Sequence, residues 1–247
     1  MTIVRKVALI TGGTSGIGKE LVTEFAKGGY DVAFTYFTNV EAAKEIARDA
    51  EIHGARALSI RTNIIDEVQV LEMIKKTMDN FQRIDVLINN AGIYEDNLTK
   101  NIELDSWKKI IDVNLTGVFY CIKAVIEIME RQQYGRILNI GSVVGEMGAM
   151  GAANYSAAKA GMMGLTKSVA REVANKGITV NVVSLGYMNG GMGNQIPEKI
   201  RNKIMEQIPM RKFGDITKVA KMILHIVSEE AEYITGQSIR INGGVYM

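Results

Sequence analysis

Thr11-Gly12-Gly13-Thr14-Ser15-Gly16-Ile17-Gly18 lies between a short apolar run, 6–10, and a segment of helical period. A glycine-rich turn that joins a strand to a helix is the arrangement that binds dinucleotides. Gly12 lets the chain turn sharply, Gly16 lets the backbone approach a pyrophosphate, and Gly18 allows close helix–strand packing. The helix start offers N–H groups and a positive dipole end to the phosphates. With Gly13, Thr14, Ser15 and Ile17, these glycines form the expected cofactor-binding turn. Glycine spacing alone also fits a turn without a ligand; the flanking strand and helix favour the binding reading. The spacing is Gly-x-x-x-Gly-x-Gly rather than the commoner Gly-x-Gly-x-x-Gly.

Outward from this turn, apolar and β-branched runs recur at 31–37, 55–61, 84–89, 135–140, 178–184 and 238–241. Most are continuous rather than alternating, as strands covered on both faces must be. Helical periods fill the intervals at 18–27, 40–51, 66–81, 105–131, 155–175 and 217–228. The alternation predicts an α/β fold: a single Rossmann-like, doubly wound parallel sheet of about seven strands with helices on both faces. One domain over 1–247 is expected. The stretch 186–214 holds both prolines, Pro197 and Pro209, and is the expected mobile lid.

Composition narrows the possibilities. Lys+Arg 29 against Asp+Glu 27 leaves a net charge of +2, too balanced for a nucleic-acid or polybasic membrane binder. No apolar run approaches the roughly 20 residues of a membrane span, and because the N-terminus turns directly into folded pattern no cleavable signal peptide is expected. The single Cys121 excludes an internal disulfide framework and fits a reducing, cytoplasmic location. His53 and His225 stand alone without metal-type spacing, so no metal site is expected.

Tyr155-Ser156-Ala157-Ala158-Lys159 sets Tyr155 and Lys159 four apart, on one helix face. A tyrosine of pKa about 10 is a poor acid–base catalyst near neutrality, whereas a neighbouring ammonium favours the phenolate. The pair is therefore expected to act as a tuned general acid/base. Alone it also fits a solvated helix face. Ser142 ends the fifth strand, where parallel sheets bind ligands, and its hydroxyl suits a carbonyl oxygen gaining charge. Asn89-Asn90-Ala91-Gly92 ends the fourth strand. Asn114 sits inside a helical period, where asparagine is mildly unfavourable; it has either a polar task or a place at a helix bend.

Together the 11–18 turn, Asn89–Gly92, Asn114, Ser142, Tyr155 and Lys159 resemble the short-chain dehydrogenase/reductase family over essentially the whole chain. More narrowly, 135–183, Gln207-Ile208-Pro209 and the ending 233–247 resemble bacterial 3-oxoacyl-[acyl-carrier-protein] reductases, with acetoacetyl-CoA reductases close behind. The resemblance implies hydride transfer from a nicotinamide to a β-keto carbon of a thioester carried on acyl carrier protein or CoA, in fatty-acid-type synthesis. It implies Tyr155 as the proton donor, Ser142 as the group orienting the carbonyl, and Lys159 as the group lowering the Tyr155 pKa and binding ribose. It gives Asn114 a water of the proton relay. It also implies cofactor contacts at Thr38, Asn63, Ile64, Asn90, Ala91, Gly92 and Met188, and a homotetramer.

The sequence departs from that pattern in three places. Where relatives carry Pro-Gly and then Thr, this chain has Leu185-Gly186 and Gly190, which frees φ and raises the cost of ordering the lid. The lid is expected to be disordered without ligand, or nicotinamide to bind more weakly. Thr35, Tyr36, Phe37 and Thr38 offer no carboxylate to a ribose, which favours NADP(H) over NAD(H), although relatives' basic residues are Ser15 and Thr38 here. Basic residues expected near the site entrance for carrier docking reduce to Lys176, with Gln133 at the second position and Arg131 close by.

Overall fold

The chain's computed structural model describes residues 5–247; residues 1–4 of the expected domain lie outside the described residues. Among the described residues, nine strands and nine α-helices follow in chain order. They are β1 Val7–Ile10, α1 Gly16–Lys27, β2 Asp31–Tyr36, α2 Val40–Ile52, β3 Ala57–Arg61, α3 Glu67–Phe81 and β4 Val86–Asn89. Next come α4 Leu104–Ile111, α5 Gly117–Gln132, β5 Gly135–Ser142, α6 Val144–Met147, α7 Ala153–Val173 and β6 Ile178–Leu185. The chain closes with β7 Met188–Asn189, α8 Glu198–Gln207, β8 Gly214–Asp215, α9 Ile216–Ile226 and β9 Ser238–Ile241.

Seven strands form one parallel sheet in the order β3-β2-β1-β4-β5-β6-β9. Successive residues feed opposite faces: Leu9 and Leu87 join a core with Met73, Ile122 and Met162, while Ile10 and Ile88 join one with Phe25, Phe34 and Ile223. Because both faces are covered, the strands read as unbroken apolar runs. The connection direction reverses between β1 and β4, which opens a crevice at their carboxyl ends. β1 delivers the glycine turn to that crevice, β4 delivers Asn90–Gly92 and β5 delivers Ser142.

One expectation gains a detail and another needs correction. The period at 105–131 is helical throughout, but α4 and α5 are joined by a π turn, Asp112–Thr116, with Asn114 at its centre. The apolar period runs across this break, so hydrophobic spacing did not reveal it. The carrier-docking residues also lie elsewhere. Arg131 is at the carboxyl end of α5, Gln133 caps it, and Lys176 precedes β6, all at the amino edge of β5 and β6. Helices running antiparallel to the strands deliver their carboxyl ends there. Within one chain, about 25 Å of strand separates them from Ser142.

The 186–214 stretch has its own small architecture. β7 pairs with β8 through two residues, a 3₁₀ turn spans Gly191–Gln195, and Pro197 caps α8. Among the described residues no helix is long and apolar enough to cross a membrane, and no group of His, Cys, Asp or Glu is placed to hold a metal ion.

Candidate active site

Hydrogen bonds between β1 and β4 hold the glycine turn in shape. Thr11 Oγ1 accepts from the N–H groups of Asn90 and Ala91, both at 3.0 Å. Asn90 Nδ2 donates to the carbonyls of Thr11 and Gly12, both at 2.9 Å. Thr35 of β2 accepts from the N–H of Gly12 at 3.0 Å through Oγ1, and from Gly13 at 2.8 Å through its carbonyl. The backbone needs glycine at two points, with φ +67 at Gly12 and +53 at Gly16. A Cβ on Gly18 would collide with the Gly12 carbonyl oxygen. Ser15, the N-cap of α1, makes no side-chain bond to the first turn, so those N–H groups suit an anionic ligand. This cradle fits the pyrophosphate of a dinucleotide.

The other expected cofactor residues line the same edge. Thr38 is exposed beyond β2, while Asn63 and the buried Ile64 follow β3. Asn63 is fixed by its N–H to Gln69 Oε1 at 2.9 Å. Met188 is buried with its thioether against Gly214, so its backbone rather than its side chain is available to a cofactor.

Ser142, Tyr155, Lys159 and Asn114 converge beside the turn. Lys159 is buried; its Nζ donates to the Ile140 carbonyl at 2.7 Å and stands 5.6 Å from the Tyr155 ring centre. Asn114, also buried, clamps one backbone unit from both sides. Its Nδ2 donates to the Ile93 carbonyl at 2.9 Å, and its Oδ1 accepts from the Ile93 N–H at 3.3 Å. The two readings of Asn114, polar task and helix bend, thus merge: the π turn aims the side chain. A Cβ placed on Gly92 would sit 2.8 Å from Asn114 Oδ1 and 3.8 Å from Lys159 Nζ, so the glycine leaves open space between those two groups.

The electrostatics correct one expectation. Lys159 was expected to lower the Tyr155 pKa. Instead, burial pushes the phenol up to about 12, against an opposing hydrogen bond from Ser142 and with a further upward push from Tyr94. Burial also lowers Lys159 to about 8. Desolvation disfavours the charged form of each group, and it is the largest cause of both shifts. The tyrosine therefore stands protonated at neutral pH. Cys121 is buried and its thiol is pushed up to about 12, as suits an inert core residue.

Two residues near the site carried no sequence signal. The Tyr94 ring meets Tyr155 edge to face, with centroids 5.2 Å apart and planes at 83°. Arg61, paired with Tyr36 at the β2–β3 ends, donates from Nε to the Phe37 carbonyl at 3.2 Å. Only strand register brings this cation to the end of β2.

Comparison with known proteins agrees with this architecture. The family model described as Enoyl-(Acyl carrier protein) reductase matches residues 12–246. The chain is 43% identical over 242 residues to 3-oxoacyl-[acyl-carrier-protein] reductase FabG of Staphylococcus epidermidis, covering 98% of this chain and 99% of that protein. It is 42% identical over 243 residues to the 3-oxoacyl-[acyl-carrier-protein] reductase of Synechocystis, covering 98% and 97%. Against FabG of Salmonella typhimurium it is 40% identical over 247 residues, the full length of both. With the glycine turn, the Ser142–Tyr155–Lys159 set and the seven-stranded parallel sheet in place, the chain belongs to the short-chain dehydrogenase/reductase family of oxidoreductases.

Proposed function

We propose that the protein reduces a 3-oxoacyl thioester, carried on acyl carrier protein, to the 3-hydroxyacyl thioester with NADPH, in cytoplasmic fatty-acid-type synthesis. The observation that carries this reading is the convergence of Asn114, Ser142, Tyr155 and Lys159 at the strand ends beside the glycine turn. When bound, the nicotinamide supplies a hydride to the ketone carbon. Ser142 donates a hydrogen bond to the ketone oxygen as charge develops there. Tyr155, held neutral by burial, gives that oxygen its phenolic proton, completing the alcohol. Lys159 binds ribose hydroxyls and stabilises the phenolate left behind, and Asn114 orients the water that reprotonates it. Gly12–Gly18, Asn90, Ala91 and Gly92 hold the pyrophosphate and nicotinamide side; Thr38, Asn63 and Ile64 hold the adenosine side.

NADP(H) is favoured because no carboxylate ends β2 and Arg61 stands beside that end. Arg61→Ala is expected to weaken NADPH binding about 10-fold and NADH binding less than 2-fold in fluorescence titrations; equal losses would remove Arg61 from the 2′-phosphate site. Acetoacetyl-CoA reduction is the second reading, supported by the place of Arg131 and Lys176 at the sheet edge opposite Ser142. The family resemblance implies a homotetramer.

Tyr155→Phe tests the mechanism. It is expected to lower kcat about 10³-fold while leaving the NADPH Kd within 3-fold. Activity within 5-fold of the parent would remove Tyr155 as the acid.

A further inference from the structure

We propose that Tyr94 sets substrate specificity: it is a fixed aromatic wall at the mouth of the site, admitting unbranched 3-oxoacyl chains past Tyr155 and rejecting chains branched beside the ketone. The inference rests on the reading of Tyr155 as the proton donor.

Two observations carry it. First, the contact is with the reacting residue itself: the Tyr94 and Tyr155 rings pack edge to face at 5.2 Å. Tyr94 is 44% exposed, so the ring that touches Tyr155 also reaches solvent. Second, the backbone that carries Tyr94 is tied on every side. Asn114 grips Ile93 through both its N–H and its carbonyl. The Glu95 carboxylate accepts from Ser106 Oγ at 2.8 Å and pairs with Lys109 of α4. The Asn97 N–H donates to the Gly151 carbonyl at 2.8 Å. A large exposed side chain on an irregular segment is usually free to swing; here the cost of holding it has been met in the fold, as preorganised recognition requires.

A fixed ring packed against the proton donor leaves room for a linear chain and collides with a methyl branch at the carbon next to the ketone. The test compares kcat and KM for acetoacetyl and 4-methyl-3-oxopentanoyl thioesters in the parent, Tyr94→Ala and Tyr94→Phe. Straight and branched 3-oxo esters are run in parallel. Tyr94→Ala is expected to raise the branched-to-straight ratio of kcat/KM at least 10-fold, mainly by lowering KM for the branched substrate. Tyr94→Phe keeps the ring and is expected to hold the ratio within 2-fold. A merely structural role would slow both substrates alike. A ratio within 2-fold of the parent in Tyr94→Ala, or an equal shift in Tyr94→Phe, overturns the proposal. If Tyr94→Ala does not fold, Tyr94→Leu gives the same reading. Turnover of esters but not thioesters would overturn the thioester reading while leaving Tyr94 testable; turnover of no ketone by the parent would overturn both.

Discussion

The glycine turn and the lid both contribute glycines to the same crevice, yet they are held in opposite ways. α1 buries Leu21, Val22, Phe25 and Ala26 in the core, and its turn is tied to β2 and β4 by side-chain hydrogen bonds. α8, the lid helix, has no buried residue, and the segment is anchored at its ends, where Met188, Ile208 and Phe213 are buried and the N–H groups of Gly186 and Met210 donate to the carbonyls of Ile241 and Gly243. Burial is what makes local opening costly. The turn is therefore held in one shape, and we propose 186–214 as the more mobile of the two. The two meet where a Cβ on Gly16 would lie 3.0 Å from the Gly191 Cα, so the lid rests directly on the cradle.

The largest effect that would break this contrast comes from the cradle. Gly18→Ala puts a Cβ into the Gly12 carbonyl and against Asn90, and it is expected to weaken NADPH binding at least 100-fold. A Kd within 3-fold of the parent in a fluorescence titration would show that the turn is not preformed.

Next in size is a change in the lid. Gly190 has φ +126, and a Cβ there would stand 2.5 Å from Ile216 Cδ1. A residue with a side chain cannot follow the same path, so the glycine sets the segment's resting course. Strain of about 1–2 kcal/mol in Gly190→Ala should raise lid opening 5- to 30-fold. Limited proteolysis is expected to speed up within 186–214 by that factor while the NADPH Kd changes less than 3-fold. Cleavage shifting instead into 12–18 would reverse the assignment of rigid and mobile parts.

The smallest effect concerns stability. Lys159 falls to about 8 in the folded protein from 10.5. The folded state then binds fewer protons than the unfolded one between those values. The cost of burying the ammonium is fully present below pH 8 and fades as pH rises toward 10.5. Lys159→Met is expected to raise urea stability at pH 7 by about 1–2 kcal/mol, the lost bond to the Ile140 carbonyl offsetting part of the gain. The advantage should shrink between pH 8 and 10. A variant less stable than the parent at pH 7 would mean that the buried ammonium is well compensated.

The rigid half was also the legible half. Strands buried on both faces must be apolar throughout, so 84–89 and 178–184 gave themselves away, and β4 and β6 differ from them only at the ends. The glycine turn, Ser142, Tyr155 and Lys159 were readable because each depends on local spacing along one element. What escaped depends on tertiary position. The π turn at Asn114 leaves the apolar period intact, and the Tyr155 pKa follows from burial, which spacing does not report. Arg61 reaches the β2 end through sheet register, and Tyr94 reaches Tyr155 through the grip of Asn114 on Ile93. Lys176 and Arg131 were assigned to the site entrance without the helix direction that carries them to the other edge.

The most direct test of the central claim is cofactor oxidation by the full chain, with NADPH and NADH each offered 3-oxoacyl carrier protein, acetoacetyl-CoA and a simple ketone in parallel. The expected result is turnover with NADPH in which kcat/KM for the carrier-linked substrate exceeds that for the simple ketone at least 100-fold. Tight NADPH binding with no turnover of any of the three would contradict it.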